Sequence, residues 1–253
     1  MKIVLLGSGN VANHLGNLLY NSGQNIIEVY NKFNESGNSL AKKLNADFIN
    51  NISEINKNAD LYIISVVDDF LDELVSKLDL KNGIVVHTSG TKSIDCLNKF
   101  TNYGVLYPLQ TFSKDKALNY SDIPFLIEAN TDNNFNFLKD FCKIFSHKIF
   151  EIDSEKRRIV HVSAVFACNF TNYMFAISED ILKQNNISFD ILKPLITETV
   201  NKALENGAAK SQTGPAKRKD LNLINEHLKL LETNKDYQEI YRLLSENIKN
   251  SFI

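Results

Sequence analysis

The sequence predicts a mixed α/β domain with a mostly parallel sheet, followed by an all-α C-terminal domain. Up to about residue 152, short apolar segments typical of buried strands alternate with segments of helical periodicity, which is the pattern of a parallel sheet covered by helices. From Ser154 to Ile253 only helical periodicity is present, with breaks at Gly207 and at Gly214-Pro215. This change of period predicts two domains, over residues 1–152 and 153–253.

Eight segments predict strands. Residues 2–6, which are all apolar after Lys2, are as expected for a parallel strand that is buried on both faces. The remaining strands are predicted at residues 26–30, 48–49, 61–66, 84–87, 104–107, 125–128 and 148–152. Helical periodicity follows the first strand and recurs around residues 40–44, 70–78 and 134–145.

The composition is that of a globular protein without a strongly charged surface. The formal net charge is −2 and no basic block is longer than residues 217–219, so we expect neither a nucleic acid nor a membrane as a partner. No apolar stretch approaches the length of a bilayer span. The three cysteines lack zinc-ligand or redox spacing, which favours reduced thiols and a cytoplasmic location. Asp68 and Asp69 have no further ligands nearby, so no metal site is predicted.

The first strand is followed by a glycine-rich fingerprint, Gly7-x-Gly9-x-x-Ala12. Gly7 permits a tight turn, Gly9 lets backbone approach a pyrophosphate, and Ala12 allows close packing of helix on strand. The helix N-terminus then offers free N–H groups to the anion. The context of strand, glycines and helix predicts a Rossmann-like domain, although a glycine-rich turn that binds nothing, or another adenine-containing ligand, is the alternative. The predicted contacts are Gly7, Ser8, Gly9, Asn10, Val11 and Ala12.

The end of the second strand bears on the choice of cofactor. NAD-specific enzymes usually carry an acidic residue there, which bonds the ribose 2′-hydroxyl. In this chain the position holds Asn31 followed by Lys32, and Glu28 lies too early in the strand. A neutral residue beside a cation suits a 2′-phosphate, so NADP is predicted over NAD. Lys42 and Lys43, on the following helix, can add to the positive field.

Further cofactor contacts are expected where the next strands end, because ligands of such sheets lie beyond the carboxyl ends of the strands. We predict contacts from Val66, His87 and Ser89. A purely structural histidine is an equally good interpretation of His87. Asp68 is interpreted as the N-cap of the next helix in preference to a ligand contact.

Two clusters in the helical part contain candidate substrate contacts. Asn169 lies within an apolar helical segment eight residues after His161, and pairing with another helix is its structural alternative. Thr213 precedes a Gly-Pro break, after which a new helix is predicted to start and to hold Arg218 in its first turns. Arg218 is the best candidate for bidentate binding of a carboxylate, and its alternative is a surface ion pair.

Several of these segments, taken together, resemble one family. Nearly end to end, the chain is similar to bacterial proteins that join a Rossmann-like domain to a C-terminal domain of unknown function and are often labelled NADP oxidoreductases. The matching segments are residues 7–12, 87–90, 107–112 and 161–172, and Thr213-Gly214-Pro215 with Arg218 and Asp220. The family usually has Gly between that Arg and Asp, where this chain has Lys219, and this difference can alter the local turn.

The resemblance implies a reductase-like fold and dimers formed through the helical domain. The family is distantly similar to pyrroline-5-carboxylate reductases, ketopantoate reductases and β-hydroxyacid dehydrogenases. The last of these place a lysine four residues before an active-site asparagine; if Asn169 is the equivalent, this chain has Val165 there. The ketone-reducing acid is then missing unless His161 or His87 replaces it, whereas an imine arrives already protonated. Pterin, flavin and deazaflavin partners also stay open.

The sequence therefore predicts an NADP-dependent oxidoreductase that transfers a hydride to a small carboxylated imine or ketone. The substrate is expected in a cleft between the cofactor face and the helical domain, in contact with Asn169, Thr213 and Arg218 and with His161 at its edge. The alternative is a non-catalytic dinucleotide-binding or sensor protein with a reductase-like fold. A homodimer is the expected assembly.

Overall fold

The computed structural model describes residues 1–113 and 119–251. The chain forms two compact units, Met1–Cys168 and Asn169–Ile253. The first unit contains all the strands in the order in which they were predicted: β1 Lys2–Leu6, β2 Asn25–Tyr30, β3 Asp47–Ile49, β4 Leu61–Ile64, β5 Ile84–His87, β6 Tyr103–Pro108, β7 Phe125–Ala129 and β8 Ile149–Glu151. The predicted fold class is thus confirmed.

The eight strands form one sheet in the order β3-β2-β1-β4-β5-β6-β7-β8. Every neighbouring pair is parallel except β6 and β7, which pair antiparallel. The carboxyl ends of β1, β4 and β5 are in register, because Leu6 pairs with Ile64 and Ile64 with His87. Residues that follow these three strands therefore lie along one edge of the sheet, where a ligand of such a fold binds.

Helices cover both faces of the sheet. The four within the strand region are α1 Asn10–Asn21, α2 Asn34–Leu44, α3 Asp68–Lys77 and α4 Asp132–Cys142. Alternate side chains of β1 point to opposite faces, so that Ile3 and Leu5 belong to one apolar cluster and Val4 and Leu6 to the other. All four are fully buried, which explains why β1 is apolar without interruption after Lys2.

The described residues after β8 are mainly helical. The first unit ends within a continuous helix, Ser154–Gln184, which consists of α5 Ser154–Ala164, a π-helical turn Val165–Phe170 and α6 Thr171–Gln184. The remaining helices are α7 Lys193–Asn206, α8 Ala208–Ser211, α9 Pro215–Arg218, α10 Leu221–Leu230 and α11 Lys235–Ser251. The predicted boundary between residues 152 and 153 stays a prediction.

The helix Ser154–Gln184 corrects one expectation. By length and composition alone it is apolar enough to cross a membrane, whereas the sequence analysis expected no segment of that length. The reason is that α5 and α6 join without a break through the π-helical turn, which the helical periodicity does not reveal. A single helix of this kind is weak evidence for a membrane span.

Candidate functional site

The loop after β1 has the geometry that the fingerprint requires. Gly7 has a φ of +120°, and a Cβ on it would lie 2.1 Å from the carbonyl oxygen of Ser65. Its N–H donates to the Tyr30 carbonyl at 2.8 Å. No other residue fits this position without moving the main chain at the end of β4, so Gly7 sets the distance between the two strand ends.

Gly9 leaves the start of α1 open. It is the N-cap residue of that helix and makes no side-chain capping hydrogen bond. A Cβ on Gly9 would meet nothing within 4 Å. The first N–H groups of α1 thus face free space at the positive end of the helix dipole, which is a site that fits a pyrophosphate. Ala12 is fully buried, in keeping with its predicted packing role.

A polar network links this loop to the end of β2. The Ser8 hydroxyl donates to the Ser36 hydroxyl at 2.8 Å, and the Asn31 side-chain amide donates to the same hydroxyl at 3.1 Å. α2 begins beside this network, and its N-cap residue Phe33 makes no side-chain capping bond. Ser8 of the predicted phosphate loop and Asn31 at the end of β2 are therefore brought together, with Ser36 as a third member that sequence reasoning missed.

The charged side chains around this network lie at different distances from it. Lys32 is exposed, with its ammonium 5.9 Å from the centre of the Phe70 ring. Glu35 lies in the first turn of α2, while Lys42 and Lys43 lie in its last turn, about a helix length from the network. Glu28 is occupied elsewhere, since its carboxylate accepts the Asn56 N–H at 2.8 Å.

Polar side chains after β4 and β5 are occupied in holding the sheet edge. The Thr88 hydroxyl donates to the Ser65 hydroxyl at 3.1 Å. The Ser89 hydroxyl accepts the N–H groups of Thr91 and Lys92, so it closes a turn. Val66 is half-buried beside the glycine loop, and its Cγ1 lies 3.3 Å from where a Cβ of Gly7 would be. The predicted cofactor contacts of Ser89 and Val66 stay predictions.

The interpretation of Asp68 as an N-cap is wrong. The N-cap residue of α3 is Val67, and Asp68 is the first residue of the helix. Its carboxylate instead accepts a short hydrogen bond from the Thr91 hydroxyl. The side chain therefore ties α3 to the loop after β5, a pairing 23 residues apart in sequence that local capping rules do not predict.

His87 is sealed inside the first unit. The side chain is fully buried, and Nδ1 accepts the N–H of Ser89 at 3.1 Å. Nε2 makes no hydrogen bond within residues 1–113 and 119–251. Burial, and next the positive charge of Arg157, lower the pKa of His87 to about 4. The ring is thus neutral near pH 7, and its predicted contact with the cofactor stays a prediction.

A buried ion pair lies beside His87, and sequence reasoning missed it. Arg157 on α5 is fully buried and donates to Glu128 of β7 at 2.6 Å and to the Lys92 carbonyl at 2.5 Å. The Ser154 hydroxyl donates to the same Glu128 carboxylate at 2.7 Å and accepts the Ile94 N–H. This cluster joins α5, β7 and the loop after β5. The sequence offered one signal for this ion pair, because Glu128 stands inside an otherwise apolar strand segment.

Next to this cluster, His161 meets Tyr107 at the carboxyl end of β6. His161 Nδ1 and the Tyr107 hydroxyl share a hydrogen bond of 3.1 Å, and the two rings meet edge to face. Gly90 makes room for them, since a Cβ there would lie 2.6 Å from His161 Nδ1 and 3.0 Å from Tyr107 Cζ. The structure thus pairs His161 with the first residue of the segment 107–112, one of the segments that carry the resemblance to the family.

A third histidine holds the segment after β6 against α1. His14 is buried, and its ring nitrogens bond the Tyr120 hydroxyl at 2.9 Å and the Ser113 carbonyl at 2.8 Å. Asn10, a predicted loop residue, donates its side-chain amide to the Phe112 carbonyl at 3.1 Å. The segment from Phe112 to Ser113 therefore packs on the helix that begins at the glycine loop. A histidine on the apolar face of α1 was the sequence signal.

The candidate residues of the second unit are exposed. Asn169 lies in the π-helical turn, and π turns often occur at functional sites. Thr213 lies two residues before the short helix α9, and Arg218 is the last residue of that helix. The single helix predicted from Pro215 is instead two helices, because Lys219 adopts a left-handed conformation with φ +56° and Asp220 caps α10. The catalytic roles of Asn169, Thr213 and Arg218 and the predicted cleft stay predictions.

No group of three or more His, Cys, Asp or Glu side chains that could hold a metal ion occurs in the part of the chain that the structure describes. The described residues form a helix start that fits an anion at the glycine loop and a hydrogen-bonded Tyr107–His161 pair.

Two family models match the chain. Residues 2–90 match a model described as "NADP oxidoreductase coenzyme F420-dependent", and residues 123–248 match a domain of unknown function, DUF2520. No curated protein matches. These two matches cover the glycine loop and the helical region that the sequence analysis singled out.

Similar solved structures match nearly the whole chain. A putative NADP oxidoreductase from Bacteroides fragilis is 39% identical over 98% of each chain, with a TM-score of 0.91. An imine reductase from Myxococcus stipitatus in complex with NADP+ is 14% identical, with a TM-score of 0.71 over 99% of this chain and 92% of that one. A 1-pyrroline-5-carboxylate reductase from Streptococcus pyogenes is 15% identical, with a TM-score of 0.61 over 99% and 98%. The last two share the fold. On the strength of the first, this chain belongs to the family of NADP oxidoreductases that join a Rossmann-like domain to the C-terminal domain DUF2520.

Proposed function

We propose that this protein is an NADPH-dependent reductase of a small carboxylated ketone or imine. The observation that carries the proposal is the open, uncapped start of α1 behind Gly7 and Gly9 at the carboxyl edge of the sheet. Bound there, the cofactor would supply a hydride to the substrate carbon. The protein's own residues would bind the phosphates, orient the two partners and supply a proton.

The preference for NADPH over NADH is supported by the groups at the end of β2. Asn31 and Ser36 offer neutral hydrogen-bonding atoms, and Lys32 offers a cation. α2 begins at this point with an uncapped N-terminus, which favours an anion. Glu35 acts against it, but its side chain is exposed and therefore well screened.

Two observations support the proposed substrate class. Imine and pyrroline-carboxylate reductases share this fold, and Arg218, the candidate for a carboxylate contact, is exposed on the second unit. Asn169 and Thr213 would hydrogen-bond the substrate near the reacting carbon. A guanidinium that binds a carboxylate through two hydrogen bonds would select acids over their amides.

A second copy of the chain is the proposed partner. Among the described residues of the second unit only Ala216 and Ile224 are buried, so this unit has almost no core of its own. Large apolar side chains are exposed along it instead: Ile187, Ile191, Leu195, Val200, Leu204, Leu221, Leu230, Leu243 and Leu244. Surfaces of this kind mark interfaces, and the cytoplasmic location predicted from the sequence favours a protein partner over a bilayer.

Cofactor binding is tested by fluorescence titration of the purified protein with NADPH and NADH. We expect tighter binding of NADPH, and Gly9→Asp should abolish it because a carboxylate would occupy the phosphate position. Lys32→Ala should weaken the binding of NADPH roughly 5- to 100-fold and leave the binding of NADH unchanged. The matched control Lys42→Ala should alter the binding of neither cofactor. Equal binding of both cofactors by the wild type would contradict the proposed preference.

Turnover is tested by the oxidation of NADPH in the presence of 2-oxo acids and cyclic imino acids. Reduction of a carboxylated member, with its amide inactive and Arg218→Lys impaired, is the expected result. Tight NADPH binding without turnover of any compound would favour the sensor alternative.

A further inference from the structure

The Tyr107–His161 pair lies on the edge of the sheet that carries the glycine loop. Val105 pairs with His87, the last residue of β5, so Tyr107 stands two residues beyond the end of that strand. The sheet order from β1 through β4 and β5 to β6 puts Tyr107 three strands from the loop, about 14 Å away. The adenosine side of the loop faces β2, so the rest of a dinucleotide would extend in the opposite direction, from the loop towards β6.

Other candidates for a proton donor are poorly suited. His87 is fully buried and neutral, with one nitrogen already bonded to Ser89. Val165, which takes the place of the dehydrogenase lysine if Asn169 is the equivalent asparagine, has no proton to donate. Tyr107 and His161 are both only partly buried, so both can be reached from outside.

We propose that Tyr107 donates the proton to the substrate oxygen during ketone reduction and that His161 supplies that proton in turn. This inference rests on the proposed reductase function. The hydrogen bond between the two side chains and the close fit against Gly90 hold the hydroxyl at a fixed point of the sheet edge. Tyr107 is then a catalytic residue and His161 a residue that positions and recharges it.

Reduction of the ketone to the alcohol needs one hydride and one proton. The carbonyl carbon receives a hydride from the reduced nicotinamide cofactor, the carbon–oxygen π bond breaks, and the oxygen takes the hydrogen of the Tyr107 hydroxyl. The resulting phenolate takes a proton from Nδ1 of His161. Water then returns a proton to the imidazole, so one hydride and one solvent proton convert the ketone to the alcohol.

The surroundings of Tyr107 support this role. Burial raises the pKa of its hydroxyl above the ordinary value, the positive charge of Arg157 lowers it, and the Asp68 carboxylate raises it. The net direction is upward, so the hydroxyl keeps its proton near neutral pH and acts as a donor. A fixed general acid of this kind typically contributes about 10²- to 10⁴-fold to a rate.

The test compares ketone with imine reduction in Tyr107→Phe. The probes are a series of 2-oxo acids beginning with 2-oxopentanoate, and 1-pyrroline-2-carboxylate, which reacts as a protonated iminium and needs only the hydride. We expect kcat for the ketone to fall at least about 100-fold and kcat for the imine to change less than about threefold, because only the ketone needs the enzyme's proton. Tyr103→Phe, at the other end of the same strand, is the matched control and should leave both unchanged.

His161→Ala distinguishes a residue that supplies a proton from one that is purely structural. Its ketone activity should fall with little change in KM and should be restored in part by added imidazole. His227→Ala is the matched control, since His227 also bonds a tyrosine hydroxyl, that of Tyr241 at 2.8 Å. NADPH affinity measured on every variant shows whether the fold and the cofactor site are intact.

The outcomes separate the two proposals. Equal losses of ketone and imine reduction in Tyr107→Phe, or no loss of either, would overturn the role of Tyr107 and leave the reductase function standing. Reduction of the imine alone by the wild type would overturn it too, since no donor would then be needed. A wild type that reduces no probe would contradict the reductase function itself, and the Tyr107 proposal with it.

Discussion

The two units of this chain are stabilised in different ways. In the first, four consecutive residues of β1 are completely buried and apolar clusters cover both faces of the sheet. In the second, only Ala216 and Ile224 are buried among the residues described, while Leu204 and Leu230 are about four-fifths exposed, at 81% and 79%. The hydrophobic effect thus stabilises the first unit within one chain, whereas the described residues of the second unit bury little apolar surface there, which is why we propose that a second copy covers it.

The largest expected effect follows from that difference. Light scattering should give a mass near twice the chain's 28.7 kDa, and thermal unfolding should shift upward with protein concentration because association stabilises the fold. Leu204→Asp should lower the mass or the concentration dependence, since it puts a charge into an apolar contact. Glu205→Gln, an exposed neighbour on α7, is the control. A monomeric wild type at micromolar concentration would contradict the dimer.

Within the first unit, the buried ion pair should matter far more than a surface one. Arg157→Met removes the partner of Glu128 at a site with no exposure of the arginine, and we expect a loss of about 3–5 kcal/mol in the free energy of unfolding. Lys77→Met removes an exposed pair with Glu73 of nearly the same length, 2.5 Å, and should cost less than about 1 kcal/mol. Equal losses in urea denaturation would show that burial is not what separates them.

The burial of His87 predicts a dependence of stability on pH. Folding lowers the pKa of this ring from its ordinary value of 6.5 to about 4, so between these values the unfolded chain binds a proton that the folded chain does not. Stability therefore falls as the pH drops from 6.5 towards 4, by up to about 3 kcal/mol from this group. His87→Gln should lose less stability than the wild type between about pH 7 and pH 4.5. His147→Gln, an exposed histidine, should behave like the wild type.

The smallest effect concerns the second unit alone. Lys219 adopts φ +56° at the position where the family usually has Gly, so Lys219→Gly should stabilise the chain by about 1 kcal/mol by removing left-handed strain. Asn45→Gly, at φ 52°, is the comparison, and its gain should be smaller because Asn tolerates this conformation better. No gain in Lys219→Gly would mean that the lysine makes a compensating contact.

The sequence predicted those features that local pattern determines. All eight strands were located, because buried parallel strands are short apolar runs separated by helical periodicity. The glycine loop was located because its residues are adjacent in the chain. What was missed depends on pairs distant in sequence: Glu128 with Arg157, Asp68 with Thr91, and Tyr107 with His161. The antiparallel pairing of β6 with β7 was also missed. The direction of a strand depends on how the chain connects it to its neighbour and not on the composition of either strand.

The contacts of Arg157 also bear on the order in which a growing chain can complete its fold. The guanidinium bonds Lys92, synthesised 65 residues earlier, and Glu128, synthesised 29 residues earlier. When β8 has emerged from the ribosome, every strand of the sheet exists but the cation that fixes the loop after β5 does not. The sheet can therefore form during translation, whereas its ligand-binding edge becomes fixed only once the first turns of the long helix have been made, and a chain truncated at residue 152 would leave the Glu128 carboxylate without its cation.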